Sequence, residues 1–313
     1  METLLIPFSP DYRKMLDQML ALRLLDVSEH GDRLIAVRPP SYLLRHPRKV
    51  LWFIHHHRTV YDLWGTKYQD IPPTPEGHTY RDAIIHADNI ALREAEKIFS
   101  NSKVVACRLK RFNQVDARVL YPPIWAPERF RSGGSGDYML YLSRITDHKR
   151  QLLAVEAVRH TRTPVKLVIA GAPDPEAEPY LKQIRLRVQE CSLDERVTII
   201  PRWVSDHEKI DLFAGCLAAI YMPFDEDSYG YPSLEAHHSG KAVITSTDSG
   251  GTNELIVDGE NGLIPEPDPE AIARAMDQLY DDRDLARRMG AAGKERISQL
   301  GISWDTALDS LLS

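Results

Sequence analysis

The sequence has few cysteines and no long run of apolar residues. Its three cysteines (Cys107, Cys191 and Cys216) are odd in number, widely spaced and without a metal-ligand pattern, so we interpret them as structural thiols. No apolar run is long enough to span a membrane, and no signal-peptide core follows the initiator methionine, which predicts a cytoplasmic protein without stable membrane insertion. An excess of positive charge is also lacking, since the formal net charge is -6. We therefore expect no general attraction to nucleic acid or membranes.

The length and composition predict two globular domains. The chain has 313 residues, of which 43% are hydrophobic and 27% charged, enough for two ordinary cores. The most linker-like stretch is RSGGSG at 131–136. It predicts a domain boundary near 125–137.

The second half of the sequence alternates strand and helix patterns, which predicts a parallel, doubly wound α/β sheet. The first half has fewer such units, with a Pro-rich surface loop at 71–77 before a long helix at about 79–96. Strands are predicted at 33–37, 50–54, 97–99, 138–142, 165–170, 197–200, 217–222, 242–245 and 262–264.

The stretch 221–254 carries the clearest functional pattern. It reads as a strand, an acidic loop, a helix opening at Pro232 with Glu235 in its first turn, a second strand and a Gly250-Gly251 turn. A helix N-terminus suits a phosphate, the carboxylate can reach sugar or ribose hydroxyls, and a glycine turn supplies further backbone donors. These features predict a nucleotide-sugar site. The open alternatives are a Glu235 that only complements the helix dipole, a solvated acidic loop at 225–227 and an ordinary glycine turn.

Ligands of such sheets bind beyond the carboxyl ends of the strands, which places further side chains on the same rim. Arg144 and Lys149 follow the first strand of the second half and could converge on one diphosphate, although two solvated surface charges would give the same pattern. Trp203 and Val204 end the third strand, where either could flank a nucleobase, while a core position is an equal alternative for the tryptophan.

The N-terminal half offers a histidine cluster. His55, His56 and His57 follow a predicted buried strand. Adjacent residues of an extended chain point to opposite sides, so one tetrahedral metal site is disfavoured. A single active-site histidine that binds a sugar or acceptor is the preferred hypothesis, with ordinary packing as the alternative. Tyr61, Asp62 and Trp64 could line an acceptor wall.

Together these motifs resemble glycosyltransferase family 4, whose members are retaining enzymes of the GT-B fold. DSYGYPSLEA at 227–236 is similar to the E-x7-E element of the family, SRITDHK at 143–149 to its G-R-L-x-x-x-K, and SGGTNE at 249–254 to its G-G-x-x-E turn. WFIHHHRTVYDLW resembles the segment that holds the active-site histidine. Asp227 replaces the usual glutamate, which shortens the carboxylate by one methylene.

The resemblance implies two Rossmann-like doubly wound domains facing a cleft: 1–127 for the acceptor, a 128–137 linker, 138–300 for the donor, and a helix in 301–313 packing back on the first domain. The N-terminal domain is incomplete compared with the family, whose Gly-rich turn would lie upstream. A natural minimal form and a truncated one both fit.

The resemblance also implies roles for individual residues. Glu235 would bind the ribose hydroxyls, and Asp227 the donor sugar. Arg144 and Lys149 would bind the diphosphate, and His55 would be the active-site histidine, with His57 as second choice. The remaining predicted donor-binding residues lie on the same rim: Arg202, Val204, Gly230, Tyr231, Ser233, Gly250 and Gly251.

The predicted reaction is a retaining transfer of a sugar from a UDP- or GDP-sugar to an acceptor hydroxyl. No metal and no cofactor are expected, because no DxD-like pair lies on this rim in a position to hold a metal, and the cationic pair Arg144 and Lys149 could replace a metal ion. The alternatives are a non-catalytic nucleotide-sugar-binding protein or partner subunit, a GT-B-type nucleotide-sugar epimerase, and less favoured, a phosphorylase. The base, the sugar, the acceptor and the oligomeric state stay open.

Overall fold

The chain divides into two compact units, each with its own parallel sheet. A computed structural model describes residues 2–9 and 11–313. Unit 1 is Met1–Tyr121 with Asp305–Ser313, and unit 2 is Pro122–Trp304. The predicted class, α/β with two parallel-sheet domains, is confirmed.

Unit 1 has a four-stranded parallel sheet in the order β1-β2-β3-β4. The side chains of Leu51 and Phe53 on its second strand are buried in the core, as the continuous apolar run predicted. Its strands are β1 (Leu34–Ala36), β2 (Lys49–Phe53), β3 (Lys97–Ser100) and β4 (Arg118–Val119), and its first helices are α1 (Met15–Leu24), α2 (Pro75–Arg93) and α3 (Lys103–Asn113).

The Pro-rich segment contributes the first turn of α2, so the prediction of a loop through residue 77 and a helix from 79 was wrong there. Thr74 caps the helix by accepting a hydrogen bond from the backbone N–H of Gly77. Pro75 occupies the first helical turn, where a missing N–H costs nothing. The helix therefore begins earlier than its apolar periodicity indicates.

Asp88 of α2 is a carboxylate in the core of unit 1. The hydroxyls of Tyr42 and Tyr61 donate to its two oxygens over 2.9 and 2.7 Å. Burial raises the pKa of Asp88 to about 7, although the two hydrogen bonds oppose the shift. The carboxyl group thus titrates close to neutral pH inside the fold.

Replacing Asp88 by asparagine should therefore change the pH dependence of stability. The unfolded carboxyl ionises near pH 4, whereas the folded one holds its proton to about pH 7. The native protein thus loses stability as the pH rises through this window. Between pH 4 and 8, the unfolding free energy of the wild-type protein should fall by up to about 4 kcal/mol relative to that of Asp88→Asn, at roughly 1.36 kcal/mol per pK unit. Urea denaturation of both proteins at several pH values measures this, and a constant difference would contradict it.

Unit 2 has a six-stranded parallel sheet in the order β10-β9-β8-β5-β6-β7. This is the predicted doubly wound topology. Its strands are β5 (Tyr138–Leu142), β6 (Lys166–Ala170), β7 (Val197–Ile200), β8 (Ala218–Ile220), β9 (Ala242–Ile244) and β10 (Gly262–Leu263). Its helices are α4 (Gln151–His160), α5 (Glu178–Glu190), α6 (Asp206–Gly215), α7 (Tyr231–His238), α8 (Pro269–Asp281) and α9 (Arg283–Gln299).

The glycine-rich segment expected to be a linker is part of unit 2. Its backbone N–H groups at Gly133 and Gly136 donate to the carbonyls of Ala214 and Gly215, each over 3.0 Å. A Cβ at Gly136 would lie 2.2 Å from the Gly215 oxygen, so close backbone approach explains this glycine. The units divide after Tyr121, ahead of the expected 128–137 linker.

The last helix, α10 (Trp304–Leu312), carries the chain back to unit 1. Leu311 packs with Val50, Phe99 and Leu120 in a small apolar cluster. The Arg33 guanidinium donates to the Leu311 carbonyl over 2.7 Å. Unit 1 thus contains both the start and the end of the described chain.

In the ranges 2–9 and 11–313, the structure has no helix with the length and apolarity needed to cross a membrane.

Candidate active site

The strand order of unit 2 places its topological switch point between β5 and β8. The chain runs outward from β5 through β6 and β7, then returns to the other side of β5 with β8. In doubly wound sheets, ligands bind beyond the carboxyl ends of the strands at such a point. The segments after β5 and β8 therefore define the candidate site.

A buried ion pair lies at this switch point. Lys149, in the short 3₁₀-helix Asp147–Lys149 after β5, pairs with the carboxylate of Glu226 in the loop after β8. The Lys149 ammonium also donates to the Tyr221 hydroxyl over 2.8 Å, and this hydroxyl donates to Glu226 Oε2 over 2.9 Å. Burial alone would raise the pKa of Glu226, but Lys149 and Tyr221 together lower it. The acidic loop is therefore partly buried and paired, and the alternative of a solvated loop is wrong for Glu226.

The two cations predicted to share a diphosphate have different partners. The Arg144 guanidinium pairs with Asp174 over 2.8 Å, and its side chain is 63% exposed. Lys149 is 7% exposed and held by Glu226 and Tyr221. The structure thus keeps Arg144 on the surface of the rim and Lys149 inside it.

The N-terminus of α7 contributes the positive end of a helix dipole and an unpaired hydroxyl. Gly230 precedes the helix with a φ of 70°, and a Cβ there would lie 2.1 Å from the Tyr221 ring. The Ser233 hydroxyl is buried and has no hydrogen-bond partner among the described residues. Asp227 is 8% exposed, close to the same helix start. A buried hydroxyl at a helix N-terminus suits a phosphate oxygen.

The glycine turn after β9 packs on the loop that carries Glu226. The Gly251 N–H donates to the Glu226 carbonyl over 2.8 Å, and Gly250 has a φ of 60°. A Cβ at either glycine would meet backbone atoms of residues 225–228 within 2.9 Å. The Thr252 hydroxyl is buried and without a partner in the described chain. The turn therefore serves the packing of the two loops.

Glu235, one turn into α7, forms an ion pair that the sequence did not predict. Its Oε1 lies 2.7 Å from the ammonium of Lys209, which belongs to α6, and the glutamate is 6% exposed. Burial raises the pKa of Glu235, and Lys209 opposes this increase. The pKa of Glu235 thus depends on a residue of a neighbouring helix.

The rim after β7 holds the remaining predicted donor residues. Arg202 forms two hydrogen bonds to the Glu208 carboxylate, over 2.8 and 2.7 Å. Val204 is buried, Tyr231 is 53% exposed and Trp203 is 79% exposed. The core alternative for Trp203 is therefore wrong.

The three histidines of unit 1 lie in different environments. His56 is buried, its Nε2–H donates to the Asn113 side-chain oxygen over 2.7 Å, and burial lowers its pKa to about 4. The His55 Nδ1–H donates to the His56 carbonyl over 2.6 Å, and burial lowers the pKa of His57. His56 is a core residue, while His55 and His57 are only half-buried and keep the predicted role as a hypothesis.

The proposed acceptor wall is a packed part of unit 1. Tyr61 is buried against the His56 ring, and Asp62 pairs with Arg58 and lies near Arg108. Trp64 packs against the Arg81 guanidinium.

Within residues 2–9 and 11–313, no group of three or more His, Cys, Asp or Glu side chains is arranged to hold a metal ion.

Sequence reasoning missed Tyr221, Glu226 and Lys209 as site residues. Each acts through a partner on another element: Lys149 after β5, or Glu235 on α7. The available sequence signals were local: the capping pattern of Ser205 at the start of α6, and the carboxylates that follow β8. Neither signal reveals a pairing between elements.

Comparison with known proteins gives a family match over unit 2. Residues 127–296 match the model of the family described as glycosyl transferases group 1. The mouse (Mus musculus) alpha-1,3/1,6-mannosyltransferase ALG2 is 29% identical over 297 residues, which are 86% of this chain and 68% of the mouse protein. A GDP-mannose-dependent alpha-(1-6)-phosphatidylinositol monomannoside mannosyltransferase from Mycobacterium tuberculosis (strain ATCC 25618 / H37Rv) is 30% identical over 188 residues, 57% of this chain and 47% of that protein.

The fold is similar to solved structures at low identity. Sucrose-phosphate synthase from Thermosynechococcus elongatus superimposes with a TM-score of 0.73 and 19% identity, covering 96% of this chain and 77% of that chain. This likeness concerns the fold alone. Together with the two parallel sheets, it confirms the predicted GT-B class.

Proposed function

The chain belongs to the glycosyl transferases group 1 family and is a glycosyltransferase, and from this premise we propose that it transfers mannose from GDP-mannose to a carbohydrate hydroxyl. The proposed donor rests on the two relatives whose names specify mannosyl transfer, one of them dependent on GDP-mannose. The proposal further includes retention of the anomeric configuration and independence of a metal ion.

One observation supports the reaction most: the buried Lys149 ammonium at the switch point donates to the hydroxyl of Tyr221, whose ring lies against Gly230 at the start of α7. In the proposed reaction, the bond between the anomeric carbon and the diphosphate oxygen breaks, and a bond to the acceptor oxygen forms. Negative charge then develops on the leaving phosphate. Lys149, the positive end of the α7 dipole and the Ser233 hydroxyl would stabilise this charge, as preorganised polar groups in a water-poor site do.

A fixed cation and a helix N-terminus can provide the charge stabilisation that a divalent metal provides in other transferases. In a retaining step on one face of the sugar, the acceptor proton would pass to the leaving phosphate oxygen. No protein base is then needed for this transfer, and His55 would act by binding the sugar or the acceptor.

A donor panel tests the proposal. The protein is incubated with GDP-mannose, UDP-glucose and UDP-N-acetylglucosamine, a mannoside acceptor, and either magnesium or EDTA. GDP release should occur with GDP-mannose and persist in EDTA, and NMR of the product should show an α-linkage. Loss of turnover in EDTA, a β-linkage or preference for a UDP-sugar would each contradict the corresponding part. Donor binding without turnover would favour a binding protein, and conversion of the donor without acceptor would favour an epimerase.

A further inference from the structure

Lys209 is a charged residue of unit 2 with a defined position beside the candidate site. Ser205 caps α6 by accepting from the Glu208 N–H, which fixes the first turn of the helix. One turn later, the Lys209 ammonium lies 2.7 Å from Glu235 Oε1 and 3.3 Å from Asp206 Oδ1, and it also lies over the Phe130 ring. A partly buried lysine is thus held against a buried carboxylate.

The charged groups around this pair leave Glu235 dependent on Lys209. Asp206 adds a second negative charge on the same helix as Lys209, and Arg129 lies 3.9 Å from Asp206. On its own helix, Glu235 faces Tyr231, whose pKa is raised mainly by burial. Lys209 is therefore the cation in direct contact with the Glu235 carboxylate.

We propose that Lys209 is a positioning residue that keeps Glu235 ionised and oriented for the hydroxyls of the donor ribose. The inference rests on the proposed function, because Glu235 must face a nucleotide. It concerns the ribose, which GDP and UDP share, and so does not depend on which base or sugar the protein uses. A carboxylate accepts hydrogen bonds from two adjacent hydroxyls, whereas a protonated carboxyl loses part of this capacity.

The electrostatics of the pair give the proposal a measurable signature. Burial raises the pKa of Glu235, Lys209 lowers it by its charge and hydrogen bond, and Asp206 raises it. Removing the ammonium would move the pKa of Glu235 further upward, since burial would then act almost unopposed. The carboxyl would be protonated at low pH and ionised again at high pH.

The experiment compares Lys209→Met with the wild-type protein by calorimetric titration of GDP and of UDP between pH 6 and 8.5. For each nucleotide and at each pH, the dissociation constant of Lys209→Met is divided by that of the wild-type protein. This ratio cancels the titration of the nucleotide itself. We expect Lys209→Met to bind about tenfold more weakly at pH 6, with the deficit shrinking as the pH rises. A deficit that is the same at every pH, or no deficit, would overturn the proposal.

Three controls separate positioning from packing. Lys209→Arg should keep near wild-type affinity and a flat ratio, because a guanidinium retains the charge. In a Glu235→Gln background, Lys209→Met should have no pH-dependent effect, because the amide does not ionise. The preference for GDP over 2′-deoxy-GDP should decline in Lys209→Met at pH 6. If the wild-type protein binds neither GDP nor UDP, the proposed function fails as well; if it binds them and the ratio is flat, only this inference fails.

Discussion

Replacing Lys149 by methionine should slow sugar transfer by about 10²–10³-fold, the usual cost of removing one preorganised donor to a developing anion. The ammonium is buried at the switch point, where water cannot screen its charge. The loss should appear mainly in kcat, because the charge on the leaving phosphate is greatest in the transition state. Steady-state kinetics with GDP-mannose measure it.

The same substitution should also destabilise unit 2, because it leaves the Glu226 carboxylate buried without its cation. Breaking a buried pair on one side costs about 3–5 kcal/mol, and at 9% and 18% side-chain exposure for Lys149 and Glu226 we expect the lower end of this range. The double variant Lys149→Met/Glu226→Gln separates the two effects, since it removes the unpaired charge. It should recover most of the stability while transfer stays slow. Recovery of activity together with stability would show that Lys149 acts through folding alone.

Replacing Gly230 by alanine should destabilise unit 2 and disturb the candidate site. The position has a φ of 70° and a ψ of 127°, a combination that residues with a Cβ rarely adopt and that costs about 1–3 kcal/mol. The new methyl group would lie 2.1 Å from the Tyr221 ring, and such overpacking costs roughly 1–3 kcal/mol more. Because Tyr221 bonds both Lys149 and Glu226, its displacement should weaken donor binding as well.

Gly259 provides a control with a positive φ and no steric clash. Its φ is 76°, and a Cβ there would have no neighbour within 4 Å. Gly259→Ala should therefore show the cost of the backbone conformation alone, about 1–2 kcal/mol, with unchanged nucleotide affinity. Denaturant unfolding and GDP titration of both variants test this. Equal destabilisation by the two substitutions would show that the contact with Tyr221 has no effect.

The fold of unit 2 was predictable because buried parallel strands are short apolar runs separated by helical patterns. β5 and β7 have the predicted bounds, and β6, β8, β9 and β10 lie within the predicted ones. The glycine-rich composition of one segment led to a wrong prediction of a linker, because its glycines are needed for close packing. The segment around Gly133 and Gly136 resembles a flexible linker, but its glycines permit close contact with the end of α6.

The candidate site was predictable only as a set of residues on one rim. The arguments that placed Arg144, Lys149 and Glu235 there used strand ends, which are local features of the sequence. Which carboxylate pairs with which cation depends on the packing of separate helices and loops. The pairs Lys149–Glu226 and Lys209–Glu235 each join different elements, and no periodicity in the sequence specifies them.

These ion pairs have a consequence for how an anion would reach unit 2. Four cations of unit 2 each contact a carboxylate. The pairs are Arg144–Asp174, Lys149–Glu226, Arg202–Glu208 and Lys209–Glu235. Each positive charge is thus matched within hydrogen-bonding distance, and its field declines steeply beyond the pair. The rim therefore exerts little long-range pull on simple phosphates. Discrimination between anions would occur at contact, where a ligand must displace an internal carboxylate or add to its pair.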